Sequence, residues 1–320
     1  MALTKVRPEG LGFVNGRRNL IINGAMQVTQ RRTSFTSSSV NEYSLDRWRT
    51  EGYSLSTVIS QQSFTAGQTD VPDFPTNYVR VTTNTAIPSG QFWSFQQRIE
   101  KPQVIPIGTQ NFTLSFWAKS VSGTISASAF SFGIGSDKVN CPEITTSWQK
   151  ITTTINRAVS SSNAYESMYL VHLPAGASAI SVDIANVQLE IGEVATPFEH
   201  ESFAETLQKC MRYFETSYAY GTALGSSGGT TNMPARAAVG TNDTAQEWDF
   251  EVTKRASPSV TIYGSSGSSG QAYNFRLGAN VSANVENGAG RKCFRVYRNG
   301  GSSWSSNDWI AANYAVDAEL

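Results

Sequence analysis

Two histidines, three cysteines and a wealth of aromatic side chains bound the chemistry open to this 320-residue chain. With only His172 and His200, a Ser-His-Asp triad or a histidine metal centre has few ways to form. His172 sits inside the apolar run MYLVHLP, which reads as a packed strand, and His200 stands just before a helix start. No GxSxG, Walker loop, HExxH or dinucleotide fingerprint occurs. Asp46, Glu100, Asp183 and Glu190 are the carboxylates a glycoside hydrolase could draw on, yet their spacing gives no preferred pair. Asp46 in YSLDRW reads instead as a partner of Arg47 or Arg49, or as a turn cap. Cys141, Cys210 and Cys293 are odd in number and far apart, so they are expected reduced. A Ca²⁺ held by carboxylates and carbonyls would have no EF-hand-like ligand run behind it. The expectation is a protein without catalytic activity, cofactor or metal.

Aromatic rings point to a different chemistry. A sugar lays its C–H face on an indole or phenol while neighbouring amides and carboxylates take its hydroxyls. GQFWSFQQ, SGQAYNFR and SSWSSNDW carry that combination. The candidates for glycan binding are Trp304, Trp309, Asn307, Asp308, Trp93 and Tyr273. Trp304, between Ser/Gly turns, is expected to be exposed, whereas Phe92 and Phe95 are expected in a core.

These residues need elements to hold them, and the pattern is that of strands. FTLSFWAKS alternates Phe112, Leu114 and Phe116 against Thr113, Ser115 and Trp117, and YVRVTTN, WQKITTTI, MYLVHL and ISVDIANVQLEI continue the theme. Short strands at such spacing, with no crossover helices between them, predict an all-β protein, a jelly-roll β-sandwich rather than a parallel α/β sheet. Residues 1–17, basic and Gly/Pro-rich, form an N-terminal arm, and residues 18–200 form the jelly roll. Ser202 and Glu205 have the form of a capping box that opens a junction helix over 201–218. Its stripe Phe203, Leu207, Cys210 and Phe214 would face either its own domain or a seam where two or three chains meet. After the Gly/Ser-rich GTALGSSGGTTN, residues 219–320 make a second, smaller β-sandwich with a paired final strand. Lys+Arg and Asp+Glu are equal at 25 each, so no net field would draw nucleic acid or an anionic membrane. No run has the length for membrane insertion and MALTKVRPEGLGF has no apolar signal core, so the chain is expected to be soluble and made in a cytoplasm.

RNLIINGAMQVTQR, YSLDRW, FWSFQQRIE, LSFWAKS, SWQKI and above all IANVQLEIGEVATPFEHESFAETLQKCMRYFE resemble a recurrent module of bacteriophage tail fibres and other phage surface proteins. FEVTKRASPSVTIY and the terminal YAVDAEL resemble the tail domain of such fibres more loosely. The family implies a virion component with a carbohydrate-binding-like jelly roll, a homotrimer that attaches to host cell-surface polysaccharide and is assembled in the host cytoplasm. Its arm would dock on phage tail or capsid proteins. The resemblance leaves open a capsid head fibre, a decoration protein or a tail-connecting structural protein without receptor binding.

Overall fold

The computed structural model describes residues 18–37, 41–101, 104–239, 243–244, 247–286, 290–298, 304–305 and 307–320. The arm at 1–17 lies outside the described residues. The chain forms two compact units, the first of residues up to Gln27 together with Thr33–Phe203, the second of Val28–Arg32 together with Ala204–Leu320.

The first unit holds β1 (Ser34–Ser37), β2 (Trp48–Gly52), β3 (Thr57–Ser63), β4 (Asn77–Thr83), β5 (Trp93–Glu100), β6 (Gly108–Ser120), β7 (Ser131–Ile134), β8 (Asp137–Asn140), β9 (Gln149–Val159), β10 (Tyr165–Leu173) and β11 (Ser181–Ile191). They make a six-stranded sheet, β1-β3-β4-β11-β6-β9, and a five-stranded sheet, β2-β5-β10-β7-β8. From β4 to β5, β6 to β7 and β9 through β10 to β11 the chain changes sheet, the crossing pattern of a jelly roll. Alternation supplies the core: Phe112, Leu114 and Phe116 of β6 and Ile151, Ile155 and Val159 of β9 are buried, while Trp117 stands half-buried on the opposite face. Trp48 stacks on Phe95 at 5.2 Å between the sheets, beside Trp93, Phe130 and Phe132. The buried Asp183 of β11 accepts two hydrogen bonds from Arg80, at 2.7 and 2.9 Å, which satisfies a carboxylate that burial would otherwise penalise.

The helix is shorter than its sequence period suggests. α1 spans Phe203–Met211, and β12 (Phe214–Thr216) follows it. Phe214 is therefore a strand residue, paired with Asp317 near the C-terminus. Cys210 and Phe214 are buried, as is Thr206, whereas Leu207 is half-buried and Phe203 exposed. The expected stripe of four is thus corrected: two of its members are already covered within this chain. Among the described residues no helix is long and apolar enough to cross a membrane.

The second unit continues with β13 (Ala235–Val239), β14 (Asp243–Thr244), β15 (Trp248–Asp249), β16 (Ser259–Tyr263), β17 (Gln271–Asn274), β18 (Ala279–Val285), β19 (Cys293–Phe294), β20 (Val296–Arg298), β21 (Trp309–Ala311) and β22 (Asn313–Asp317). It is all-β, but the expected second sandwich is corrected to a closed barrel, β13-β14-β20-β18-β17-β21, with the three-stranded sheet β12-β22-β16 and the pair β15-β19. Closure leaves no free edge on strands this short, a need that alternation alone does not reveal. Trp248, Phe294, Trp304, Ile310 and Tyr314 fill its core.

An early segment belongs to this unit. Gln30 donates to the Phe214 carbonyl at 2.8 Å, and the Arg31 guanidinium lies 3.6 Å over the Phe214 ring. Arg31 also reaches Asp317 at 3.4 Å and Glu319 at 3.5 Å. Deeper in the unit, the buried Lys254 contacts Glu215 and donates to the Met211 carbonyl at 2.6 Å. Glu215 accepts further bonds from the Glu251 and Val252 amides at 3.0 and 3.3 Å. Burial lowers the Lys254 pKa against the raising effect of Glu215. Lys254→Ala leaves this carboxylate buried without its countercharge, a loss of about 3–5 kcal/mol. Thermal denaturation should show the midpoint of the second unit falling on the order of 10 °C; an unchanged midpoint would mean that water replaces the ammonium at no cost.

Candidate ligand-binding face

The outer face of the five-stranded sheet gathers the polar and aromatic side chains that its inner face rejects. β5 sends Trp93, Phe95 and Ile99 into the core, which turns Ser94, Gln96 and Arg98 outward. β2 buries Trp48 and presents Arg49 and Glu51, while β7 buries Phe132 and Ile134 and presents Ser131 and Gly133. In β10 the register shifts between Tyr169 and Val171, so Leu170 and Val171 are both buried and Tyr169 and His172 share the outer face. Pairing then builds two rows across the sheet. Arg49, Gln96, Tyr169, Gly133 and Lys138 form one, and Glu51, Ser94, His172, Ser131 and Asn140 the next. At strand spacing each row is roughly 20 Å long.

Rings and charges interleave on these rows. Phe92, at the rim, lies 5.5 Å from the His172 ring, and Tyr169 meets His172 edge-on at 5.5 Å. Lys138 Nζ sits 4.5 Å over the Tyr169 ring, and the Arg98 guanidinium 4.3 Å over Tyr165, four residues back along β10. Glu51 accepts from Gln96 Nε2 and from Arg98 at 3.5 Å, with Arg49 at 4.0 Å. The approach of Phe92 depends on Gly52: at φ 112°, a Cβ there would lie 2.3 Å from the Phe92 carbonyl oxygen.

Burial, and then Lys138, pushes the His172 pKa down to about 4, so the imidazole is neutral at neutral pH. Burial also raises the Tyr169 phenol and lowers the Lys138 ammonium. The His172 Nδ1, the Gln96 Oε1 and the Arg49 Nε and Nη1 are buried with no hydrogen-bond partner. These atoms are shielded from solvent, so what the face offers a sugar from outside is its half-covered rings, on which a pyranose can stack.

The residues singled out in the sequence fall elsewhere. Trp304, expected to be exposed, is 2% exposed inside the barrel, and Trp93 is 1% exposed in the sandwich core, so neither ring is open to stacking. The Ser and Gly around Trp304 report a turn in the backbone, not the direction of the indole. Phe92, expected in a core, is exposed. Asp308 is buried and accepts from Asn274 at 2.8 Å, from Arg276 at 2.6 and 3.1 Å and from the Ser305 amide at 2.9 Å. The Arg276 contact holds its carboxyl down to about 2, and the residue is a clamp of the barrel. Trp309, 56% exposed, and the half-buried Tyr273 do come together on one barrel face, because the Phe275 amide donates to the Trp309 carbonyl at 3.0 Å and Tyr273 pairs with Ala311. Phe275 joins them at 5.2 Å from Tyr273, and the exposed Asn307 lies two residues before Trp309. Sequence inspection missed Tyr165, Tyr169, Lys138, Arg98 and Glu51. Tyr165 and Tyr169 stand in YESMYLVHL at the even spacing of one strand face, which is the signal that could have found them.

The depressed pKa of His172 has a consequence for stability. Between pH 6.5 and about 4 the unfolded chain binds a proton that the folded face refuses, so stability should fall as the solution is acidified through that window. Proton NMR of the imidazole should give a midpoint near 4, and His172→Gln should flatten this part of the stability profile. A midpoint near 6.5 would show an imidazole as solvated as in a free peptide.

No family model matches this chain, and no curated protein does. Among solved structures it is similar to the enzymatically active domain of bacteriophage CBA120 tailspike protein 4, at 16% identity and a TM-score of 0.32, over 54% of this chain and 21% of that one. The chain thus spans about a fifth of the tailspike structure's length. It is also similar to the CBM22-1 xylan-binding domain of Paenibacillus barcinonensis Xyn10C, at 13% identity and a TM-score of 0.31, over 51% of this chain and 94% of that one. A family 11 carbohydrate-binding module from Clostridium thermocellum, in complex with a mixed-linked tetrasaccharide, matches at 12% identity and a TM-score of 0.30, over 52% of this chain and 99% of that one.

Proposed function

We propose that this chain is a glycan-binding component of a bacteriophage virion, of tail-fibre type, and that the outer face of its five-stranded sheet is the surface that meets the host polysaccharide. The observation that carries the glycan-binding part is the run Phe92, His172 and Tyr169, in which the His172 ring contacts the other two on a face that also carries the Lys138 and Arg98 cations. The virion part rests on the resemblance of residues 187–215 and their neighbours to phage fibre modules. The role is binding rather than cleavage. Glu51, on the edge strand β2, is occupied by Gln96, Arg98 and Arg49, whereas glycoside hydrolysis uses two carboxyl groups set across the scissile bond. Several weak sugar contacts on one particle would add to firm adhesion through multivalency.

Binding of the purified protein to envelope polysaccharide fragments tests the glycan part. Tyr169→Ala and Phe92→Ala should each weaken it about tenfold, the equivalent of about 1.4 kcal/mol. Wild-type protein that binds no glycan would leave a structural role on the capsid or tail, and release of reducing ends would make it an enzyme. Trimeric assembly belongs to the same proposal, with Phe203 and Leu207 at the seam. The molar mass in solution should be that of three chains and fall to one in Leu207→Asp; a wild-type monomer would remove the seam.

A further inference from the structure

The face described above is not neutral, and its charges are not evenly matched. Arg98 and Arg49 are drawn to Glu51. Lys138 makes no ion pair among the described residues: its chain neighbour Asp137 favours its charge from beyond ion-pair distance, and makes its own close contact with Arg157 at 3.0 Å. The ammonium rests instead on the Tyr169 ring, at 4.5 Å, in surroundings that already disfavour its charge. Between the two, in the same row, stands Gly133, which contributes no side chain. The His172 ring meets Tyr169 edge-on at 5.5 Å, and its buried Nδ1 makes no hydrogen bond.

A ring that stacks on Tyr169 must take the place the ammonium now holds. A neutral sugar would push a desolvated cation aside and give it nothing in return. A sugar that bears a carboxylate would bring a countercharge into direct contact a few ångströms from the stacked ring, as a charge-assisted bond in a partly dry site. We propose that the Tyr169–Lys138 pair is a subsite for a carboxylated pyranose, a uronic or nonulosonic acid, within an acidic polysaccharide. This proposal rests on the sheet face being the glycan site, and it adds the class of glycan. The Arg98 guanidinium also lies over a ring, that of Tyr165, but it is paired with Glu51, so Lys138 alone carries the subsite.

A glycan array in which each uronate- or nonulosonate-bearing glycan is printed beside its carboxyl-reduced counterpart tests this on the full chain. Titration calorimetry on the best pair then gives the ratio of affinities. The acidic member should bind at least tenfold tighter, and raising the salt should weaken it while leaving the reduced member unchanged. Lys138→Met should bring the two members within about twofold of each other, and Lys138→Arg should keep most of the preference, because the guanidinium restores the charge. Equal binding of both members, or a preference that survives Lys138→Met, would overturn the acidic subsite and leave the glycan face standing. Failure of wild-type protein to bind either member would overturn both.

Discussion

One irregularity in one strand decides what this protein can present. β10 lies inside the five-stranded sheet, between β5 and β7, so one of its faces must fill the sandwich core. Strict alternation would place Tyr169 and His172 on opposite faces, because they are separated by an odd number of positions. The register shift after Tyr169 absorbs one residue, buries Leu170 and Val171 together and brings both polar rings to the outside. The rest of the face is built around that event. Lys138 finds a ring to lie on, Phe92 finds a ring to abut, and Gln96 and Ser94 stand beside Tyr169 and His172 on the neighbouring β5.

The same irregularity explains what could be read in the sequence and what could not. Where a strand keeps period two, as in FTLSFWAKS and WQKITTTI, buried and exposed positions follow from the letters, and the jelly roll follows from a series of such runs. YESMYLVHL breaks the period, and His172 therefore looks like a packing residue among apolar neighbours. The helix shows the same limit from another side. Phe214 fits a helical stripe with Phe203, Leu207 and Cys210, but it is claimed by pairing with Asp317, about a hundred residues later, and no local period contains that information. In the barrel, Trp304 misleads because small flanking residues describe the bend of the main chain, while the indole goes where a narrow closed sheet has volume to fill.

Charge is used sparingly and mostly inward. In Arg80–Asp183, Lys254–Glu215 and Arg276–Asp308, a buried carboxylate is surrounded by donors, and each pair fixes neighbouring segments in place. Lys138, by contrast, makes no ion pair among the described residues and rests on the Tyr169 ring, on a face already rich in rings.

The segment Val28–Arg32 carries a consequence for how the molecule comes into being. Arg31 can meet Asp317, its partner 286 positions further on, only once both have been synthesised. The second unit is therefore not a module that follows the first in time; it waits for its own beginning and its own end. Pairings at such separation are slow to form because the closing loop is long. A chain cut anywhere between the two would lose the guanidinium that covers Phe214, so this architecture favours transmission as one piece over exchange of its halves.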